Sequence, residues 1–211
     1  MPNQIIRAWH FTNGRVLRDG KKWRVGNTER HSGKLELCQS GLHASRNILD
    51  ALKYAPGTMI RRVECGGRIE EEYDKLVCAE RKVLWAYDAK KVLHHFARLC
   101  ALDVIHLWKA PKIVIQYLRT GDDKLKDSAY SAAYSAYSAA CSVAYSAYSS
   151  TYYSAAASAA YSGVYSAVYS TDYSTYYSTY YAAYYAARSG GVTKQKQNKR
   201  LARMLLEGRK R

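Results

Sequence analysis

Apolar and polar residues alternate over residues 5–11, the segment IIRAWHF. This pattern predicts a β-strand, because the side chains of a strand point alternately to its two faces. Short apolar segments rich in β-branched and aromatic residues, separated by NG, DG, SG and GG turns, extend the pattern along the chain. They predict four further strands, at residues 23–25, 35–38, 58–64 and 82–87.

Most helical signals follow the strand signals along the chain. Three helices are predicted: residues 46–54 capped by Ser45, a longer helix from Asp88 to Trp108, and residues 112–120 between Pro111 and Gly121. Apolar residues recur at helical spacing throughout the second of these helices. An order of strands first and helices later indicates a small α+β domain, and we assign it to residues 1–127.

Residues 128–187 consist almost entirely of Tyr, Ser, Ala, Thr, Val and Gly, and they form a low-complexity repeat. The aromatic and cysteine positions from Tyr130 to Tyr152 step by 4, 3, 4, 4, 3 and 4 residues, and four-residue units follow from Tyr153. Helical spacing, abundant Ala and the lack of Pro favour a helix over disorder or a cross-β segment, the two alternatives. A continuous helix of this length predicts a rod of about 90 Å.

The tyrosines of the repeat are its largest apolar side chains, and their rings gain free energy when they are removed from water. We therefore expect the repeat to be covered by a second copy of the chain, by the N-terminal domain or by a ligand. A helix that folds back on its own chain near Gly163 is the structural alternative to self-assembly. The residues predicted to mediate assembly are Tyr130, Tyr134, Tyr137, Tyr145, Tyr148, Tyr152, Tyr161, Tyr165, Tyr169, Tyr173, Tyr177 and Tyr181.

Residues 188–211 form a basic C-terminal tail with nine Lys and Arg residues and one Glu, within a chain whose net charge is +16. Leu201, Met204 and Leu205 lie on one side of a predicted short helix, and basic residues surround them. Such a basic amphipathic helix suits a polyanionic partner, either nucleic acid or an anionic membrane surface. The alternative is a solvated helix that docks a small apolar stripe on its own domain. The residues predicted to bind the polyanion are Lys194, Lys196, Lys199, Arg200, Arg203, Arg209, Lys210 and Arg211.

Five widely spaced cysteines, without a CxxC pair, indicate free thiols in a reducing compartment. The chain starts without the charged and apolar regions of a secretory signal, and no apolar run reaches membrane-spanning length. We therefore expect a cytoplasmic protein without a transmembrane segment. The residues also lack the paired ligand spacing of a zinc site and the glycine loops of nucleotide sites, so neither a metal nor a cofactor is predicted.

The segments CQSGLHASRNILDALKYAPG, VECGG and DKLVCAERKVLWAYDAKKVL resemble an uncharacterised family of phage and prophage proteins. Members of that family have a GLHAS- or GFHAC-type N-terminal domain, an alanine-rich repeat and a short basic C-terminus. The resemblance covers residues 5–127, and it also includes the closing NKRLARMLLE. It implies a phage-derived protein in a bacterial cytoplasm, but it implies no activity.

The order His10, Tyr54 and then Glu64 or Glu70 resembles that of ADP-ribosyltransferase-like domains. In those domains a His and a Tyr hold nicotinamide adenine dinucleotide, and a Glu polarises its ribose. Our main prediction is instead a non-enzymatic structural protein in which the tyrosine-rich helical rod drives formation of an oligomer or filament. Nucleic-acid binding through the basic ends and tyrosine stacking is the first alternative, and the ADP-ribosyltransferase-like domain is the second.

Overall fold

The computed structural model describes residues 5–17, 20, 22–107, 109–144, 158–159, 161–162, 165, 172–189 and 192–210. The side chains of residues 139–144, 172–174 and 176 are not part of this description. The chain forms two compact units. The first, the sheet unit, contains Met1–Ala89 and Leu205–Arg211, and the second, the helical unit, contains Lys90–Met204.

The sheet unit contains five strands and one short helix. They are β1 (Ile6–Thr12), β2 (Thr28–Arg30), β3 (Leu42–Ala44), α1 (Ile48–Lys53), β4 (Met59–Glu72) and β5 (Lys75–Asp88). All pairings are antiparallel, in the order β1-β4-β5-β2, and β3 also pairs with β5. With the helices that follow in the chain, this sheet confirms the predicted α+β class.

Strands β4 and β5 form a long hairpin that the sequence pattern predicted only in part. The segment around Gly66 and Gly67 was expected to be a turn, but it lies inside β4, where the pairing with β5 shifts register between Gly66 and Ile69. Gly67 has a φ of 69°, a left-handed conformation that glycine adopts without strain, so the two glycines form a bulge. The hairpin turn itself follows Glu72.

One face of the sheet carries the apolar core of the sheet unit. Ile6 and Ala8 of β1, Val63 and Cys65 of β4 and Val83 of β5 are buried there together. The predicted capping role of Ser45 is wrong. The backbone of Ser45 pairs with that of Trp9, and α1 begins only after Asn47.

The helical unit contains most of the remaining helices. They are α2 (Lys90–Asp103), α3 (Lys112–Thr120), α4 (Lys126–Ala144), α5 (Asp172–Arg188) and α6 (Lys194–Gly208), with short 3₁₀ turns at Ile105–Leu107 and Asp123–Leu125. Residues of α6 from Leu205 onward are grouped with the sheet unit. Gly121 ends α3 in the left-handed conformation, as its position after the apolar pattern predicts. Trp108, where the second helix was predicted to end, lies outside the described residues.

Helix α5 packs on α2 through small side chains. Its buried positions are Thr175, Ser178, Thr179, Ala182, Ala183 and Ala186, each at most 3% exposed. The hydroxyl of Thr179 donates to the carbonyl oxygen of Thr175 at 2.6 Å and lies 3.4 Å from that of Leu93 on α2. His94 Nε2, also on α2, lies 3.0 Å from Thr175 Oγ1. Small residues let the two backbones approach closely, so this part of the repeat is buried within its own chain.

The prediction of one straight rod through residues 128–187 is wrong. The ring centroid of Tyr130 lies 5.8 Å from that of Tyr161. In a continuous helix their sequence separation of 31 would place the two Cα atoms about 46 Å apart. The chain therefore reverses direction between α4 and the helical residues near Tyr161, as the fold-back alternative describes. The reversal was expected near Gly163, but it comes before Tyr161 in the chain. Gly163 itself lies outside the described residues.

Candidate functional site

A network of buried charges links the strands of the sheet unit. Arg61 on β4 is fully buried, Arg81 on β5 is 3% exposed, and both bind the carboxylate of Glu29 on β2. Arg61 Nη1 lies 2.6 Å from Oε1, and Arg81 Nε lies 2.7 Å from Oε2. Arg81 Nη1 also donates to the carbonyl oxygen of His43 on β3. One carboxylate and two guanidinium groups thus hold the edge strands β2 and β3 on the sheet.

His10 is the uncharged member of this network. It lies opposite Arg61 in the register of β1 and β4, and its Nδ1 accepts a hydrogen bond from Arg61 Nη2 at 2.7 Å. Burial, and then the charges of Arg81 and Arg61, hold the pKa of His10 well below its ordinary value of 6.5. Burial also lowers the pKa of Arg61, to about 10, so the guanidinium remains charged at neutral pH. The neutral imidazole can therefore accept a hydrogen bond from the charged guanidinium, which keeps its proton.

The structure gives separate partners to the residues that resemble an ADP-ribosyltransferase site. The network binds His10, whereas the hydroxyl of Tyr54 donates to Asp74 at 2.9 Å. Glu64 forms an exposed ion pair with Arg7, and Glu70 is exposed. The described contacts bring none of these three groups together with either of the others.

The described tyrosines of the repeat pack mainly on one another. Tyr137 stacks on Tyr161 with a centroid distance of 5.2 Å and an interplanar angle of 10°, and the hydroxyls of Tyr130 and Tyr161 lie 3.3 Å apart. Tyr130 also contacts Tyr134 and Tyr165. These contacts bury, within the repeat itself, ring surface that we expected a second copy, the N-terminal domain or a ligand to cover.

Three tyrosines of the described repeat remain largely accessible. Tyr134 is 52% exposed, Tyr177 is 45% exposed and Tyr184 is 44% exposed. The rings of Tyr177 and Tyr181 contact each other, with a centroid distance of 4.5 Å. Tyr184 is one of four α5 tyrosines missing from the predicted set, with Tyr176, Tyr180 and Tyr185. Of the predicted set, Tyr145, Tyr148, Tyr152 and Tyr169 and the side chain of Tyr173 lie outside the described residues.

Helix α6 is amphipathic, as predicted, and its apolar side is covered. Leu201 and Leu205 are fully buried, whereas Lys196, Lys199 and Arg203 are exposed. Spacings of three and four residues place these three cations on one face, within a sector of about 60°. The face is therefore a short row of accessible positive charge over two turns of helix.

The other predicted polyanion-binding residues have different surroundings. Arg200 forms a bidentate ion pair with Asp103 on α2, at 2.6 and 3.1 Å, which raises the pKa of Arg200 further. In the sheet unit, the guanidinium of Arg209 lies 5.5 Å from the Trp85 ring centroid. Lys194 and Lys210 are exposed, and Arg211 lies outside the described residues. The structure therefore assigns Arg200 to packing rather than to the accessible row.

Among the described residues, no group of three or more His, Cys, Asp or Glu side chains is placed to hold a metal ion. Within the same part of the chain, no helix is both long enough and apolar enough to cross a membrane.

Comparison with known proteins gives one match. Residues 6–95 match the family described as Domain of unknown function (DUF7666). No curated protein and no solved structure matches the chain. The matched residues contain the whole run from β1 to β5 and the start of α2, so the sheet is similar to a domain whose function is not known.

Proposed function

We propose that the chain is a non-enzymatic binding protein whose helix α6 holds the phosphate backbone of a nucleic acid. The observation that carries the proposal is the accessible row of Lys196, Lys199 and Arg203, opposite an apolar side that is already buried. The net charge of +16 adds long-range attraction to any polyanion.

A nucleic acid suits this face better than a membrane surface does. An amphipathic helix binds a membrane by inserting its apolar side between the lipids. In α6 that side is occupied, because Leu201 and Leu205 are buried and the carbonyl oxygen of Leu205 accepts a hydrogen bond from Tyr87 at 2.8 Å. The charged face remains accessible, with Leu206 as an isolated exposed apolar side chain beside it. Phosphate contacts need no apolar partner.

The test is the salt dependence of binding to fluorescently labelled single-stranded and duplex DNA, measured by anisotropy. Replacing Lys196, Lys199 and Arg203 together with Gln should lower the slope of log affinity against log salt by about 3 for duplex DNA. The affinity near physiological salt should fall by about tenfold or more. The full-length chain is used throughout, because both units contribute residues to α6.

The matched control removes the same charge from exposed residues elsewhere in the helical unit, Lys109, Lys112 and Arg119. This triple Gln variant should keep most of the wild-type slope. Equal losses in the two variants would mean that net charge alone attracts the DNA, and the proposed face would then have no special role.

Self-association is the second candidate function, and the exposure of Tyr134 and Tyr184 favours it. In this proposal the repeat of one copy covers accessible rings on another, giving an oligomer or filament. The phage or prophage origin and the bacterial cytoplasm that the sequence motifs imply belong to the same proposal. The expectation that the chain is not an enzyme belongs to both proposals.

Replacing both Tyr134 and Tyr184 with Ser should lower the mass measured by light scattering after size exclusion, and the effect should persist at high salt. Tyr73→Ser is the control, because Tyr73 is fully exposed and lies in the sheet unit. A wild-type chain that elutes at its monomer mass of 23.9 kDa at all concentrations would contradict self-association.

A further inference from the structure

The helical unit contains a cavity of about 390 Å³ among the tyrosines of the repeat. Six tyrosines line it: Tyr137, Tyr161, Tyr165, Tyr177, Tyr181 and Tyr185. Three serines complete the lining, two of them near Tyr161 in the chain and the third, Ser178, on α5. The volume is within the range of about 300–1,000 Å³ that is common for small-molecule sites.

The lining has an unusual chemistry for a binding site. Among the described residues, those that line the cavity carry no charge, and their only polar side-chain groups are hydroxyls. A charged ligand would lose hydration there without meeting an opposite charge, which is costly. Hydroxyls both donate and accept hydrogen bonds, so they suit a neutral ligand that carries hydroxyl groups itself.

The walls of the cavity also favour a flat ligand. Tyr137 and Tyr161 lie nearly parallel, and Tyr177, Tyr181 and Tyr185 form successive ring contacts along α5, with centroid distances of 4.5 and 5.8 Å. Aromatic faces attract other rings in offset-stacked or edge-on arrangements. A planar ring could thus contact tyrosine rings contributed by α4, the residues around Tyr161, and α5.

We propose that this cavity binds an uncharged, flat ring compound that carries hydroxyl groups. The site is separate from the basic row of α6, and it does not depend on the proposed function. It uses tyrosines that the chain packs internally, so it gives the repeat a role that needs no second copy.

The probe is 2-naphthol, a neutral, flat, fluorescent phenol, and the matched ligand is 2-naphthalenesulfonate, which has the same ring system and a negative charge. Binding to the full-length protein is measured by titration calorimetry and by the change in probe fluorescence. We expect saturable binding of 2-naphthol with one site per chain. The sulfonate should bind at least about tenfold more weakly because it brings an unpaired charge into the site.

Two variants of α5 distinguish binding of 2-naphthol in the cavity from its general adhesion to exposed tyrosine rings. Tyr177 and Tyr184 are equally exposed on the same helix, but only Tyr177 lines the cavity. Tyr177→Ala should weaken 2-naphthol binding by about tenfold, whereas Tyr184→Ala should leave it unchanged. Tyr177→Phe keeps the ring and removes the hydroxyl, so it should cause a smaller loss and serves as the variant least able to disturb folding.

Three outcomes would overturn the proposal. The first is the absence of saturable 2-naphthol binding to the wild-type chain. The second is an equal loss in Tyr177→Ala and Tyr184→Ala, which would show adhesion to surface rings. The third is tighter binding of the sulfonate than of 2-naphthol, which would show that the positive charge of the protein, and not the cavity, attracts the probe.

Discussion

Replacing Glu29 with Ala is expected to lower the free energy of unfolding of the sheet unit by about 3–5 kcal/mol. The carboxylate of Glu29 is the acidic partner of both Arg61 and Arg81, which are almost completely buried. Without Glu29, two buried positive charges would face each other with no compensating anion. The edge strand β2 would also lose the ion pairs that hold it beside β5.

The measurement is urea denaturation of the full-length variants, followed by tryptophan fluorescence, since Trp23 lies 5.0 Å from the guanidinium of Arg61. The control is Glu80→Ala. Glu80 is also on the sheet and also binds an arginine, Arg30, but that pair is exposed to solvent. Exposed pairs contribute about 0–1 kcal/mol. If the two variants lost the same stability, Glu29 would not hold the network together.

Stability of the helical unit is expected to fall by about 2–3 kcal/mol between pH 7 and pH 4 because of His94 alone. Burial, and then the charges of Lys90 and Arg98, lower the pKa of His94 from 6.5 to about 4. Above pH 6.5 the imidazole is neutral in both folded and unfolded chains, so it has no effect. Between pH 6.5 and 4 the unfolded chain binds a proton that the folded chain does not, and unfolding becomes easier.

The His94→Gln variant tests this pH dependence by difference from the wild type. Gln can still bind the hydroxyl of Thr175 but cannot take up a proton, so the variant should lose less stability on acidification. His106→Gln is the control, because His106 is exposed in the same unit. Helicity measured by circular dichroism during urea denaturation at several pH values gives the comparison. Parallel pH profiles for His94→Gln and wild type would contradict the assignment.

Local signals predicted the elements whose ends are determined by their own residues. The strand predicted at residues 5–11 is observed as β1, and Pro111 and Gly121 bracket α3 at the predicted positions. The apolar side of α6 was also predicted, and Leu201 and Leu205 are buried as its spacing requires. In each case the period of apolar residues or the backbone preference of Pro and Gly determines the result without distant contacts.

Features that depend on distant partners could not be predicted in this way. Charged residues usually lie on the solvent side of a strand, so the sequence pattern did not predict that Arg61 and Arg81 are buried. The two arginines meet Glu29 because β2, β4 and β5 pair in one sheet. Arg200 was assigned to a polyanion because Asp103, its partner, lies 97 residues earlier in the chain. The reversal of the repeat likewise depends on tyrosine contacts across long sequence separations.

The small-residue packing of α5 on α2 has a consequence for how the repeat can change in length. The buried positions Thr175 and Thr179 are one four-residue unit apart, and Ser178 and Ala182 are separated in the same way. Shifting α5 by one unit, about 6 Å along its axis, would therefore place nearly the same small side chains against α2. Gain or loss of a single four-residue unit would therefore keep small side chains at the contact with α2 and turn α5 by about 40°.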